Sequence, residues 1–134
     1  MNYNYKYPLL FFKKNNNHLS AMKQKRFGLV SSGAGDFYKK LLVIDSDGQS
    51  ILITKIIGKK TASFIYCIIY FQKMLEIEYE YEIGEKYSLE EVKIKVMEYV
   101  RKRPKYWLSL DTIDGINQRV NAATSFSDLF LIFR

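Results

Sequence analysis

The chain of 134 residues has one cysteine, one histidine, one tryptophan and two prolines. A lone Cys67 excludes a disulfide scaffold, which needs paired cysteines. His18 and Cys67 together fall short of the ligands a His/Cys metal site requires. Long hydrophobic runs are missing too. The longest, Phe64 to Phe71, is far below the roughly 20 residues of a membrane-spanning helix. Near the amino terminus, Pro8-Leu9-Leu10-Phe11-Phe12 is shorter than the roughly 7–15-residue apolar core of a secretory signal, and no small-residue cleavage site follows closely. These absences set the expectation of a cytoplasmic chain in a reducing compartment, with no membrane contact. An apolar fraction of 48% separates it from disordered sequences.

Catalytic patterns are equally sparse. Gly58-Lys59-Lys60-Thr61 resembles the tail of a phosphate loop, but Ile53 stands where the first glycine belongs, and Lys59 is not followed directly by Ser or Thr. Gly33-Ala34-Gly35 is a fragment of a dinucleotide fingerprint, with no third glycine and no helix signal behind it. Asp45-Ser46-Asp47-Gly48 lacks the further oxygen ligands and closing glutamate of a calcium loop and reads as a turn. No G-x-S-x-G occurs. Cys67 lies inside an apolar run and reads as a buried, inert thiol. The expectation is a non-enzyme without metal or cofactor.

Basic residues outnumber acidic ones by 21 to 14, for a formal charge of +7. The charge is polarised along the chain. Residues 1–21 hold Lys6, Lys13 and Lys14 and no acid, whereas 76–98 hold eight glutamates against three lysines. The abundance of Lys, Asn, Ile, Tyr and Phe also matches what AT-rich codons encode, so the basic surplus has a compositional source beside a functional one.

Residues 1–24, with Asn15-Asn16-Asn17 and no sustained period, are expected to form an N-terminal tail or an extra edge strand, ahead of a single domain over 25–134. From Arg26 onward the signals are those of strands: Arg26–Ser31, Phe37–Ile44, and Ser50–Ile57 across the Asp45–Gly48 turn. Gly58–Thr61 reads as a further turn, and Phe64–Phe71 as a central strand apolar on both faces. Leu75, Ile77, Tyr79, Tyr81 and Ile83 then alternate with Glu76, Glu78, Glu80 and Glu82, a period of two that sorts the two sets onto opposite faces. Ser88 with Glu91 is a capping box. Val92, Val96, Tyr99 and Val100 follow at helical spacing, and Pro104 ends the helix. A second helix is predicted over Thr112–Ala123, capped by Asp111, and a third from Ser125 or Ser127. Strands before helices predict an α+β fold: an antiparallel meander of four to five strands, with two or three helices packed on one face. The glutamates then belong on the other, wet face.

Two surfaces qualify as binding sites. Glu76, Glu78, Glu80 and Glu82 recur about every 6.7 Å along a strand, close to the phosphate spacing of a single nucleic-acid strand. Such a row costs stability unless Lys39, Lys55 or a partner compensates it, and it also serves as an edge deterrent. Arg101, Lys102, Arg103 and Lys105, beside Trp107, form a basic helix end suited to nucleic acid, and equally to compensating the helix dipole while Trp107 closes the core. A small sheet with trailing helices and no catalytic set resembles many immunity proteins that neutralise bacterial toxins. This resemblance covers most of the chain, rests on architecture and carries no motif. It implies a non-enzymatic protein-binding module whose acidic row blocks a basic, nuclease-like toxin. Nucleic-acid binding by the basic helix end is the alternative.

Overall fold

A computed structural model describes residues 3–31, 36–61 and 74–134. Within them the chain forms six strands: β1 (Leu9–Lys13), β2 (His18–Met22), β3 (Leu29–Ser31), β4 (Leu42–Ile44), β5 (Gln49–Thr61) and β6 (Met74–Lys86). Four helices follow: α1 (Leu89–Lys102), α2 (Pro104–Trp107), α3 (Ile113–Ala122) and α4 (Phe126–Leu131). The strands pair antiparallel in one sheet of order β2-β1-β4-β5-β6-β3. The fold is α+β as expected, with six strands where four or five were expected and four helices where two or three were, and β3 departs from a simple meander by pairing with β6 at the far edge. The strand predicted at Phe64–Phe71, with Cys67, and the Gly33-Ala34-Gly35 loop lie outside the described residues.

Residues 9–22, expected as a tail or one edge strand, form a two-stranded hairpin. Leu9, Leu10, Phe11 and Phe12 are apolar at every position, so both faces of β1 need cover. They get it: β1 lies between β2 and β4, and all four side chains are buried. Lys14–Asn16 make one turn of 3-10 helix, and Asn17, at φ 52°, closes the hairpin in the left-handed region that Asn tolerates.

The β4–β5 turn is as read. Asp45 accepts from the backbone N–H groups of Asp47 and Gln49 through Oδ1, and Gly48 takes φ 83°. Gly58–Thr61 is not a turn. β5 runs on through Thr61, and irregularities at Ile53/Lys55 and Ile56/Gly58 absorb the local distortion.

Each longer helix opens on a cap. Ser88 and Glu91 satisfy each other's backbone donors in a capping box. Thr112, not Asp111, caps α3 by accepting from the Gly115 N–H; Asp111 instead pairs with Arg119. Ser125 caps α4.

A hydrophobic core packs against each side of the sheet. On one, Leu10, Phe12, Leu19 and Ile44 meet the inner faces of the helices, with Val92, Val96, Val100, Val120 and Phe130 at the centre. On the other, Leu9, Phe11, Val43, Ile51, Ile53 and Ile77 are covered, among the described residues, by Tyr5, Phe27 and Tyr38. Phe27 contacts the rings of Tyr5, Phe11, Tyr38 and Tyr79, with centroids 4.5–5.9 Å apart.

Candidate functional site

The acidic row stands on β6 in the expected alternation. Ile77 and Tyr79 are buried, whereas Glu78, Glu80 and Glu82 are exposed and Glu76 is half-buried. Its placement differs from expectation in one respect. In an antiparallel pair, directly opposed residues share a face. Leu42 opposes Leu52, and Leu52 opposes Glu82. Leu42 packs into the helix-side core, so Glu82 belongs to the helix side of the sheet. The opposite face cannot hold the glutamates because the aromatic cluster already covers it. The row is wet because the helices sit over β2 and β1 and leave β5 and β6 open. Leu52, 38% exposed, marks the end of that cover.

Lysine compensation of the row is partial. Glu76 has Lys60 as its cross-strand neighbour, with 3.9 Å between charged atoms. Lys55 stands opposite Glu80, whereas the residue opposite Glu78 is Gly58, which has no side chain. Among the described residues, no direct ion pair joins Glu78, Glu80 or Glu82. Lys39 lies elsewhere, in the basic cluster described below.

At the basic helix end, Trp107 is a core residue. It is buried edge-on to Phe133, with ring centroids 5.4 Å apart, and its Nε1 finds no partner among the described residues. The ring open to solvent is Tyr106, 51% exposed, with the Arg103 guanidinium 4.1 Å from its centroid. Arg101, Lys102 and Lys105 are exposed, and Arg103 is half-buried.

The structure assembles a second basic cluster that sequence reasoning missed. Lys13 and Lys14, at the end of β1, meet Lys39 and Lys40, which precede β4, around a cavity of about 640 Å³. Lys13 donates through Nζ to the Phe37 carbonyl at 3.2 Å and lies over the Phe37 ring. Lys40 adopts φ 58°, a conformation that costs a residue with a Cβ about 1–2 kcal/mol. Lys14 and Lys40 also line an adjoining groove of about 580 Å³, whose floor includes Phe12, Leu42 and Leu52 and whose wall carries Lys95 and Tyr99.

On α1, Lys95 and Lys102 do not form the favourable pairs with Glu91 and Glu98 that their spacing suggests. Glu91 is engaged in the capping box. Both lysines lie over Tyr99 instead, at 5.7 and 5.5 Å from its centroid. His18 packs edge-on against Phe37, the ring over which Lys13 lies, with ring centroids 5.0 Å apart. Its Nε2 lies 2.7 Å from Ser20 Oγ, and its pKa is lowered first by burial and then by the charges of Arg103 and Lys13. The signal available in the sequence was the pair of dilysines, Lys13-Lys14 and Lys39-Lys40. Pairing of β1 with β4 brings them together.

Among the described residues, no group of three or more His, Cys, Asp or Glu side chains is placed to hold a metal ion. No helix among them is long and apolar enough to cross a membrane. No family model, no curated protein and no solved structure matches the chain.

Proposed function

We propose that this protein is a non-enzymatic protein-binding module, an immunity or inhibitor protein that occupies the basic active site of a bacterial nuclease-like toxin in the cytoplasm. The observation that carries this reading is the row of Glu78, Glu80 and Glu82, exposed on the uncovered half of the sheet without direct ion pairs among the described residues. A row of carboxylates on a rigid strand presents fixed charges at close to phosphate spacing, so a cationic cleft shaped for a phosphodiester can accept it in place of substrate. Glu76, tethered loosely to Lys60, extends the row toward β3. A formal charge of +7 repels a basic partner at long range, so attraction must come from the row itself at short range.

The test is neutralisation. The partner is recovered from the source cell on immobilised protein and repurified, and its nuclease activity is measured with and without the chain. The wild type is expected to abolish the activity, and Glu78→Lys/Glu80→Lys to require at least tenfold more protein. A captured partner that is acidic, or is inhibited equally by both forms, contradicts the reading.

A further inference from the structure

The two basic regions form one continuous tract. It begins at Lys39 and Lys40, passes Lys14, and enters the groove beside α1 where Lys95 lies over Phe12 and Tyr99. Lys102 lies over the same Tyr99 ring and carries the tract to Arg103 and Tyr106. At the hairpin end, Lys13 lies over the Phe37 ring, on which His18 packs edge-on with ring centroids 5.0 Å apart. No acidic residue lines either cavity among the described residues. Lys14, Lys39 and Lys40 have no carboxylate partner among them. Glu82 is the cross-strand neighbour of Leu52 and so stands on the β6 side of the groove without lining it.

From this arrangement we infer that the cleft between the β1–β4 end of the sheet and α1 binds single-stranded nucleic acid. The lysines track the phosphodiester backbone. The exposed Tyr106 ring, backed by the Arg103 guanidinium, receives an unpaired base at one end. The concave, apolar floor suits a flexible strand. This site uses Lys14, Lys39, Lys40, Lys95 and Tyr106, none of which belongs to the acidic row, so it stands or falls independently of the toxin-inhibitor reading. Trp107, buried in the core, has no part in it.

The test is fluorescence anisotropy of an end-labelled oligothymidylate of about 12 nucleotides, titrated with the full chain over a series of salt concentrations. Binding is expected, with log K falling against log salt at a slope of about −2 to −4, the signature of three to five neutralised phosphates on a single strand. Lys14→Glu/Lys40→Glu and Lys95→Glu should each weaken it at least tenfold, and Tyr106→Ala about threefold or more. The control is Lys25→Glu/Lys59→Glu, which matches the charge change of the lysine pair. Lys59 opposes Ile77 and so lies on the opposite side of the sheet, and Lys25 is exposed in the segment between β2 and β3, outside both cavities. This control should change affinity less than threefold. Circular dichroism checks that the variants fold; if a glutamate variant does not, Lys14→Gln/Lys40→Gln replaces it. Equal loss in the control variant would reduce the binding to net charge and overturn the site. So would tighter binding of a duplex of the same length, tighter binding of an oligoglutamate peptide, or no binding at low salt.

Discussion

Tyr5 Oη and Tyr79 Oη lie 3.0 Å apart, a buried hydrogen bond between residues 74 positions apart in the chain. It ties the N-terminal segment to the strand that carries the acidic row. Tyr5 also packs on Phe27, and Tyr3 on Tyr81, so residues 3–5 form part of the cover of the second core.

This bond has a titration signature. Burial pushes the Tyr79 hydroxyl up to about 12, and Tyr5 higher still, with the mutual hydrogen bond reinforcing the shift for Tyr5. The folded state thus favours the protonated form. The associated stability is fully present below pH 10 and is lost as pH rises through 12. Alkaline titration of tyrosine absorbance is expected to show these two ionising last among the tyrosines of the described residues, coincident with unfolding. Tyr5→Phe should cost about 1 kcal/mol in denaturant unfolding, and Tyr5→Ala roughly 3 kcal/mol or more from lost packing. Uniform ionisation near pH 10, or an unchanged stability for Tyr5→Ala, would separate the N-terminal segment from the core.

His18 provides a second pH-dependent observable. Its folded pKa is depressed, so the folded state resists protonation. Stability is expected to rise with pH from the folded pKa to about 6.5, the ordinary value, and to gain nothing from this residue above it. Substitution of His18 by Asn should flatten that slope. Nuclear magnetic resonance titration of the imidazole should place its midpoint below 6.5. Because Arg103 and Lys13 contribute to the depression, saturating oligothymidylate should move the midpoint upward. A midpoint at or above 6.5 in the free protein would contradict the packing of the β1–β2 hairpin.

Trp107 is expected to behave as a core reporter. Its emission should be blue-shifted in the native protein and should not be quenched by bound oligonucleotide. Trp107→Ala should destabilise by about 3–5 kcal/mol, the range for truncating a buried aromatic. Strong quenching by nucleic acid would place the indole in the binding surface rather than against Phe133.

Local signals in the sequence carried further than long-range ones. The Ser88–Glu91 capping box, the Asp45–Gly48 turn and the alternation of residues 75–83 each rest on neighbours a few positions apart, and each stands in the structure. Helix ends shifted only slightly, as when Thr112 displaced Asp111 as the cap. What sequence periodicity does not encode is which strands become neighbours. Leu9–Phe12 is apolar on both faces because it is interior, yet its position next to an asparagine tract made it read as part of a tail. The second core is covered by Tyr5, Phe27 and Tyr38, residues outside the strands and longer helices with no period to detect. That core takes the face on which the glutamates were expected and leaves them on the helix side, beyond the helices. The lysine cluster depends on the same pairing of β1 with β4, and neither dilysine alone suggests it.

The toxin-inhibitor reading depends on the exposed carboxylates of β6 governing encounter with a basic partner. The most direct measurement is the association rate of purified partner with wild type and with Glu78→Lys/Glu80→Lys, at one ionic strength and with matched circular dichroism spectra. The account expects the variant to associate at least tenfold more slowly while its dissociation rate changes less. Equal association rates for two equally folded proteins would contradict it.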